Sequence, residues 1–402
     1  MSRSLLLELF DVALHAVHGR ARTADYLYAN RPSGPVHVIA VGKAAPAMMN
    51  GAQDVLGAAI QSGLMVTKHG YEDAGLSADA RIRCLSAGHP VPDAESFSAG
   101  QSLVEFIAAL PPDAYVLVLL SGGASSLIEA PVEGMSESDI QRATDFLLAD
   151  GWDIAAMNRL RKRWSRLKGG GVLALLNGRQ VEVLMISDVP GDDPAVIGSG
   201  PLWPAEHGDL PPLPDWLRTR LPPILSVPEA RAPHHVIASN ADACSAVIEA
   251  ANARGVPAYL GEGRLEGDVL VTASRIAQCL RDAEPGVYVW GGETTVHLPA
   301  NPGRGGRNQQ MALALAVELA GRDDIAVLAA GTDGTDGPGE DAGALVDGAT
   351  LSRGEADALD ARRCLAEADS GTFLAASGDL LNTGPTGSNV MDLVIGYKRA
   401  IR

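Results

Sequence analysis

One pattern recurs along these 402 residues and limits what the chain can become: a short, continuous apolar run that ends at once in glycine and polar residues. It occurs at Val36–Val41 before Gly42-Lys43, at Tyr115–Leu120 before Ser121-Gly122-Gly123, and at Val181–Ile186 before Ser187-Asp188. It returns at Val287–Trp290 before Gly291-Gly292-Glu293, and at Ile325–Ala330 before Gly331-Thr332-Asp333. Such runs read as strands buried on both faces. Leu64–Thr67, Ile82–Ser86, Val236–Ser239 and Pro257–Leu260 are further strand candidates. Helical spacing intervenes in an Ala/Met-rich segment through Leu56 and at Ser96–Ala109, Ser138–Leu148, Lys162–Leu176, Ala241–Ala253, Asp268–Cys279 and Met311–Leu319. Strands alternating with helices predict an α/β protein with parallel strands covered on both faces.

The chain is too long for one ordinary core, so two domains are expected. Between Pro201 and Pro233 the composition shifts to nine prolines with little regular pattern. Residues 201–233 are therefore the expected linker, between an N-terminal domain over 1–222 and a C-terminal domain over 232–402. A net charge of −17 argues against nucleic acid and anionic membrane as partners. Nucleotides remain open, because they need only a local basic site. Cys84, Cys244, Cys279 and Cys364 show no C-x-x-C spacing and read as reduced thiols of a cytoplasmic protein. Glu8 and Asp11 interrupt the apolar start, which predicts an amphipathic helix over a signal peptide. No apolar run reaches membrane-spanning length.

The strand ends carry the candidate chemistry, because open α/β sheets bind ligands there. Gly303-Arg304-Gly305-Gly306-Arg307-Asn308-Gln309 precedes a helix, where free N–H groups and the dipole favour an anion. Arginine forks match phosphate oxygens there. Gly331–Gly337 places Asp333 and Asp336 on a glycine loop, and Glu293 ends another strand. Ser187-Asp188-Val-Pro-Gly-Asp192-Asp193 concentrates three carboxylates, hard oxygen ligands suited to Mg²⁺. Lys43 could meet phosphate or be a surface lysine after a tight turn. Ser121-Gly122-Gly123-Ala124-Ser125 could hold an anion through its backbone, or be a packing turn. Lys168, in Ser165–Gly171, belongs either to an anion cradle or to an exposed basic turn. His89, His234 and His235 lack metal-ligand spacing and read as structural or surface groups. A carboxylate pair beside an anion cradle suits Mg²⁺-assisted phosphoryl transfer.

Taken in order, these segments resemble the class II glycerate kinases, the glycerate 2-kinase family with a C-terminal MOFRL domain. The resemblance rests on Val41–Ala45, Gly88–Asp93, Ser121–Ser125, Lys168–Gly170, Ser187–Asp193, Ser199–Pro201, Gly291–Thr295, Gly305–Gln309, Gly331–Gly337, Gly378-Asp379 and Thr383–Asn389. It implies two α/β domains with a cleft between them, the N-terminal one a doubly wound, mostly parallel sheet and the C-terminal one of MOFRL type. It further implies ATP- and Mg²⁺-dependent phosphorylation of D-glycerate at the 2-hydroxyl.

On that basis Lys43, Arg307 and Asp188 are the expected catalytic residues, and Asp188, Asp192 and Asp193 the expected metal ligands. Ser121, Gly122, Gly123, Ser125, Lys168, Gly305, Gly306, Glu293, Asn308, Asp333 and Asp336 are the expected substrate and phosphate contacts. Lys43, Asp188 and Arg307 are expected to converge on one crevice. Two departures stand out: the family's basic segment before Lys-Gly-Gly lacks a His here, and the Arg after it is Gly171. An NAD(P)H-dependent hydroxypyruvate reductase and a non-catalytic anion-binding protein are the alternatives. The first would need a dinucleotide fingerprint that the sequence lacks. The oligomeric state stays open, a homodimer among the options.

Overall fold

The computed structural model describes residues 2–149, 154–204, 210, 212–221 and 232–400. The chain divides into two compact units, one of Gly19–Ile237 and one of Met1–His18 with Ala238–Arg402.

The first unit carries a six-stranded sheet built from β1 (Val36–Val41), β2 (Ile60–Lys68), β3 (Ile82–Ala87), β4 (Tyr115–Leu120), β5 (Gln180–Ile186) and β6 (His234–Ala238), in the order β3-β2-β1-β4-β5-β6. β2 and β4 both pair parallel to β1, β3 to β2, and β5 to β4. The chain thus winds outward one way from β1 and the other way from β4. That doubly wound order puts a topological switch point at the carboxyl ends of β1 and β4. Continuous burial along β4 and the second half of β5 follows from helices covering both faces. Ile39, Val66, Val118 and Met185 lie in the core with Leu103 and Ile107 of helix Ala94–Ala109. Asp93 caps that helix, accepting from Ser96 N at 2.9 Å.

The second unit carries β7 (Ala258–Leu260), β8 (Gly286–Gly292), β9 (Ile325–Gly331), β10 (Gly343–Asp347), β11 (Leu380–Leu381) and β12 (Asp392–Lys398), in the order β11-β10-β9-β12-β8-β7. This sheet is mixed: β7 and β8 are parallel, whereas β12 runs antiparallel to both β8 and β9. Helices Val269–Asp282 and Arg307–Glu318 bury Ile276, Leu280, Met311 and Leu315 against it.

Three boundaries differ from the sequence reading. Helix Ser2–Ala16 belongs to the second unit, not to an N-terminal domain over 1–222, because its face of Leu6, Leu9, Phe10 and Ala13 packs on helix Asn240–Ala253 and on β9 and β12. Ser388 Oγ also donates to Val17 O at 2.9 Å. Within the expected 201–233 linker, residues 205–209, 211 and 222–231 lie outside the described residues. The described part is no free spacer: Leu202, Trp203 and Leu217 are buried in the first unit.

The helical spacing read around Lys162–Leu176 belongs to two helices, Ile154–Trp164 and Gly171–Leu176. Gly169 and Gly170 turn the chain between them with φ of +57° and +87°, values glycine adopts without steric cost. A hairpin-like contact of Pro131 with Ser165 fixes the end of the first helix. β10 and β12 were not anticipated. Gly396 interrupts the apolar pattern of β12 because a Cβ there would meet the Leu280 side chain at 2.8 Å.

Candidate functional site

In the first unit, candidate groups collect at the switch point. Gly42 follows β1 with φ +132°, and a Cβ on it would lie 2.1 Å from Ser121 Oγ. That proximity lets the two loops interlock: Lys43 N donates to Gly122 O at 2.9 Å and Ala44 N to Ser121 Oγ at 3.1 Å. Gly123, at φ +86°, then turns the chain into the short helix Ala124–Leu127. The ring of His89 and the Cγ of Lys43 both lie about 3.1–3.3 Å from where a Gly123 Cβ would project. His89, read from sequence as structural, therefore flanks this loop.

The amides of Gly122, Gly123, Ala124 and Ser125 donate to no acceptor among the described residues. Successive N–H groups around a left-handed residue form a concave anion site, and an adjacent lysine adds charge. The packing-turn alternative for Ser121–Ser125 explains the close approach of Gly42, but not four unused donors. Ser125 Oγ meets Ser199 Oγ at 2.8 Å, tying in the Ser199-Gly200-Pro201 turn.

Lys168 does not sit on an exposed basic turn. It is 5% exposed and forms a buried ion pair with Glu129, which is 2% exposed. Gly169 N and Gly170 N donate to Ser199 O and Gly200 O at 3.1 and 2.8 Å, so these amides hold backbone and no ligand. Gly171 has a local cause: a Cβ there would stand 2.1 Å from Arg166 O.

The three aspartates expected to bind metal do not assemble. Asp188 lies two residues past β5, half-buried; Asp192 takes φ +55° in a turn; exposed Asp193 accepts from Ala195 N at 2.9 Å. Among the described residues, the only three His, Cys, Asp or Glu side chains whose ligand atoms all lie within 4.8 Å of one another are His69, Asp93 and Glu95. Asp93 is engaged there as a helix cap. Although burial opposes its ionisation, hydrogen bonds from Gly88 N, His69 and Ser96 hold its pKa down to about 2. Two exposed or half-exposed carboxylates with an imidazole are not the hard-oxygen set Mg²⁺ prefers.

In the second unit, the helix beginning at Arg307 was expected to cradle an external anion. Its N-terminus is already occupied. Asp336 accepts from Asn308 N at 3.0 Å through Oδ1 and from Gln309 N at 2.8 Å through Oδ2. Gly306 is required for this approach, since a Cβ there would lie 2.4 Å from Asp336 Cγ. Gly305, at φ +140°, passes closely over Gly371 N. Gly305, Gly306 and Asn308 thus shape an internal cap and leave no open phosphate cradle. Burial pushes the Asp336 carboxyl up to about 6, against the stabilising N–H bonds of Asn308 and Gln309.

Arg307 itself is held by two carboxylates. Its Nε and Nη2 reach Asp392 Oδ2 and Oδ1 at 2.6 and 3.1 Å, and its Nη1 reaches Glu293 Oε1 at 2.5 Å. Burial alone would lower the Arg307 pKa, yet Asp392 and Glu293 raise it, so the guanidinium is permanently charged. Asp392 escaped the sequence reading. It opens β12, and its register opposite Gly292 and Gly331 sets it at the edge where β8 and β9 end. Nearby, Asp333 is buried and accepts from Thr335 N at 3.0 Å. One cation thus faces the carboxylates of Glu293, Asp392 and Asp336, a local excess of negative charge.

Residues 5–209 match a domain of unknown function, DUF4147, and residues 286–392 match the MOFRL family. A D-glycerate 2-kinase of Thermotoga maritima is 37% identical over 90% of this chain and 90% of its own length. A glycerate 2-kinase of Pyrococcus horikoshii is 35% identical over 90% of this chain and 87% of its own. The crystal structure of the glycerate kinase from Thermotoga maritima superposes with a TM-score of 0.85 at 33% identity, covering 98% of this chain and 99% of that one. The chain therefore belongs to the class II glycerate kinases, the family that joins a DUF4147 domain to a MOFRL domain.

Proposed function

We propose that this chain transfers the γ-phosphoryl group of ATP to the 2-hydroxyl of D-glycerate, giving 2-phosphoglycerate. The observation that carries the reading is the row of four unused amides, Gly122 to Ser125, beside Lys43 at the switch point of a doubly wound sheet. Its support from relatives is the D-glycerate 2-kinase of Thermotoga maritima. Phosphoryl transfer asks the protein for position and charge more than for covalent chemistry. In this reading the amides hold phosphoryl or carboxylate oxygens and Lys43 neutralises the group in flight. In the second unit, Arg307, oriented by Asp392, can exchange its exposed Glu293 contact for an anion.

Magnesium usually arrives with nucleotide phosphates and needs only one or two protein carboxylates. Asp188 fits that need as a single donor at a strand end, whereas Asp192 and Asp193 do not complete a protein cage. Bound there, the ion would supply charge for the transferring phosphoryl group. A coupled ADP-release assay with ATP, Mg²⁺ and D-glycerate, followed by phosphorus NMR of the product, tests the reading. The expected product carries phosphate on O2, and Lys43→Ala should reduce turnover by about a hundredfold or more with unchanged thermal unfolding. Absence of ADP release with every small hydroxy acid would overturn it.

A further inference from the structure

The first unit contains a cavity of about 250 Å³ that none of the expected site residues explains as a whole. It runs from Gly123 and Ser125, past the buried Lys168–Glu129 pair, to Arg161 and Trp164. Helix Ile154–Trp164 presents Arg161 and Trp164 to it one turn apart. Trp164 is 1% exposed and is anchored through its backbone, with Trp164 O accepting from Val132 N at 2.9 Å. The volume is below the ~300–1,000 Å³ of sites for drug-sized ligands, too small for a nucleotide and ample for a three- or four-carbon acid.

Charge decides what would enter. Lys168 and Glu129 neutralise one another, so the remaining full charge on the wall is Arg161. This guanidinium makes no hydrogen bond and no ion pair within 4.0 Å among the described residues, although it is half-buried. Burial pulls its pKa below the usual arginine range while Glu129 works the other way, and an arginine stays protonated throughout. Among the described residues Glu129 acts on this half-buried, permanently charged fork only at a distance, and an anion would supply the hydrogen-bond partner it lacks there. A carboxylate matches its two parallel donors.

We propose that this cavity receives the carboxylate end of the small hydroxy acid, with Arg161 as the residue that reads it and Trp164 as the wall that limits its length. The assignment rests on the kinase reading for the identity of the acid, but not for the presence of an anion site.

Calorimetric titration of D-glycerate into the nucleotide-free chain tests it, alongside titration of glyceramide, the neutral amide of the same size. The wild type should prefer the acid. Arg161→Gln should weaken glycerate binding and raise its KM by about tenfold or more, abolish the preference for acid over amide, and leave the KM for ATP within about twofold. Arg161→Lys, which keeps the charge without the fork, should restore part of the affinity and covers the case of a Gln variant that does not fold. Quenching of Trp164 fluorescence by glycerate, lost in Trp164→Phe, would place the ligand in this cavity.

Unchanged glycerate affinity and KM in both Arg161 variants would overturn the proposal while leaving the kinase reading intact. Conversely, Arg161-dependent binding of carboxylates by a chain that releases no ADP would uphold the anion site and reject the kinase.

Discussion

Arg307 lays the two donors of its guanidinium edge on both oxygens of Asp392, Nε at 2.6 Å and Nη2 at 3.1 Å, and Asp392 is 2% exposed. The pairing fixes the plane of the arginine and leaves Nη1 as the end that meets Glu293, whose side chain is 42% exposed. An arginine so held is preorganised, its direction set before any ligand arrives.

Removing the Asp392 charge should therefore damage geometry more than binding. Under the proposed function, Asp392→Asn is expected to lower kcat on the order of a hundredfold, as a small misplacement of a positioned charge can. The stability loss should be about 2 kcal/mol, below the full cost of breaking a buried pair because Arg307 is half-buried. Steady-state kinetics and urea unfolding check both parts. A kcat equal to that of the wild type would remove Asp392 from any positioning role.

Why Asp392 was invisible in the sequence is instructive. The strands β1, β4, β5, β8 and β9 were legible because parallel or central strands are apolar throughout, and their following glycines marked one edge. β12 enters the same edge with its first residue, because it runs antiparallel between β8 and β9. A search of strand carboxyl ends cannot find such a group. The helix start at Arg307, by contrast, was legible from the glycines before it. What could not be read was that Asp336, 29 residues on in the chain, caps the very helix meant for phosphate. Pairings between distant loops depend on tertiary approach, here on Gly306, and leave no local signal. For Ser121–Ser125 the sequence left an anion cradle and a packing turn both open, because whether the amides of Gly122 to Ser125 meet acceptors depends on tertiary approach.

The cap gives a pH dependence with a definite sign. Asp336 has a folded pKa of about 6 against an ordinary 3.8, so between those values the folded chain binds more protons than the unfolded chain. Its contribution to stability is complete below about pH 4, falls as pH rises to about 6, and is flat above. The displacement corresponds to roughly 3 kcal/mol. Other carboxylates, such as Asp79 with a pKa lowered to about 2 by Arg81, act oppositely, so the raw curve is a sum. The informative quantity is the difference between wild type and Asp336→Asn. Relative to that variant, the wild type should lose stability between pH 4 and 6 in chemical denaturation; a constant difference would contradict the buried, proton-retaining carboxyl.

Gly171 should not accept a side chain. A Cβ would stand 2.1 Å from Arg166 O, a backbone atom that cannot swing away as a flexible side chain could. Gly171→Ala is expected to lose about 1–3 kcal/mol, the usual cost of overpacking. Restoring the arginine that the resemblance leads one to expect should cost at least as much. Denaturant midpoints of both variants, at unchanged m-value, provide the check.

Glu293 offers the sharpest test of how Arg307 is used. It touches Nη1 at 2.5 Å from an exposed position, so under the proposed function a phosphate oxygen would compete with this carboxylate for the same donor. Exposed ion pairs contribute about 0.2–1 kcal/mol, which corresponds to a factor of about 1.4 to 5 in affinity. Glu293→Gln removes the competing charge while keeping the shape, and should lower the KM for ATP within that range. Inhibition by inorganic phosphate should strengthen in parallel, and both gains should shrink with rising salt, because the competition is electrostatic. Stability should hardly change, since no buried group loses its partner: Asp392 still holds Nε and Nη2. A higher KM for ATP in Glu293→Gln would mean that the carboxylate assists nucleotide binding, and that Arg307 meets phosphate, if at all, without giving up this contact.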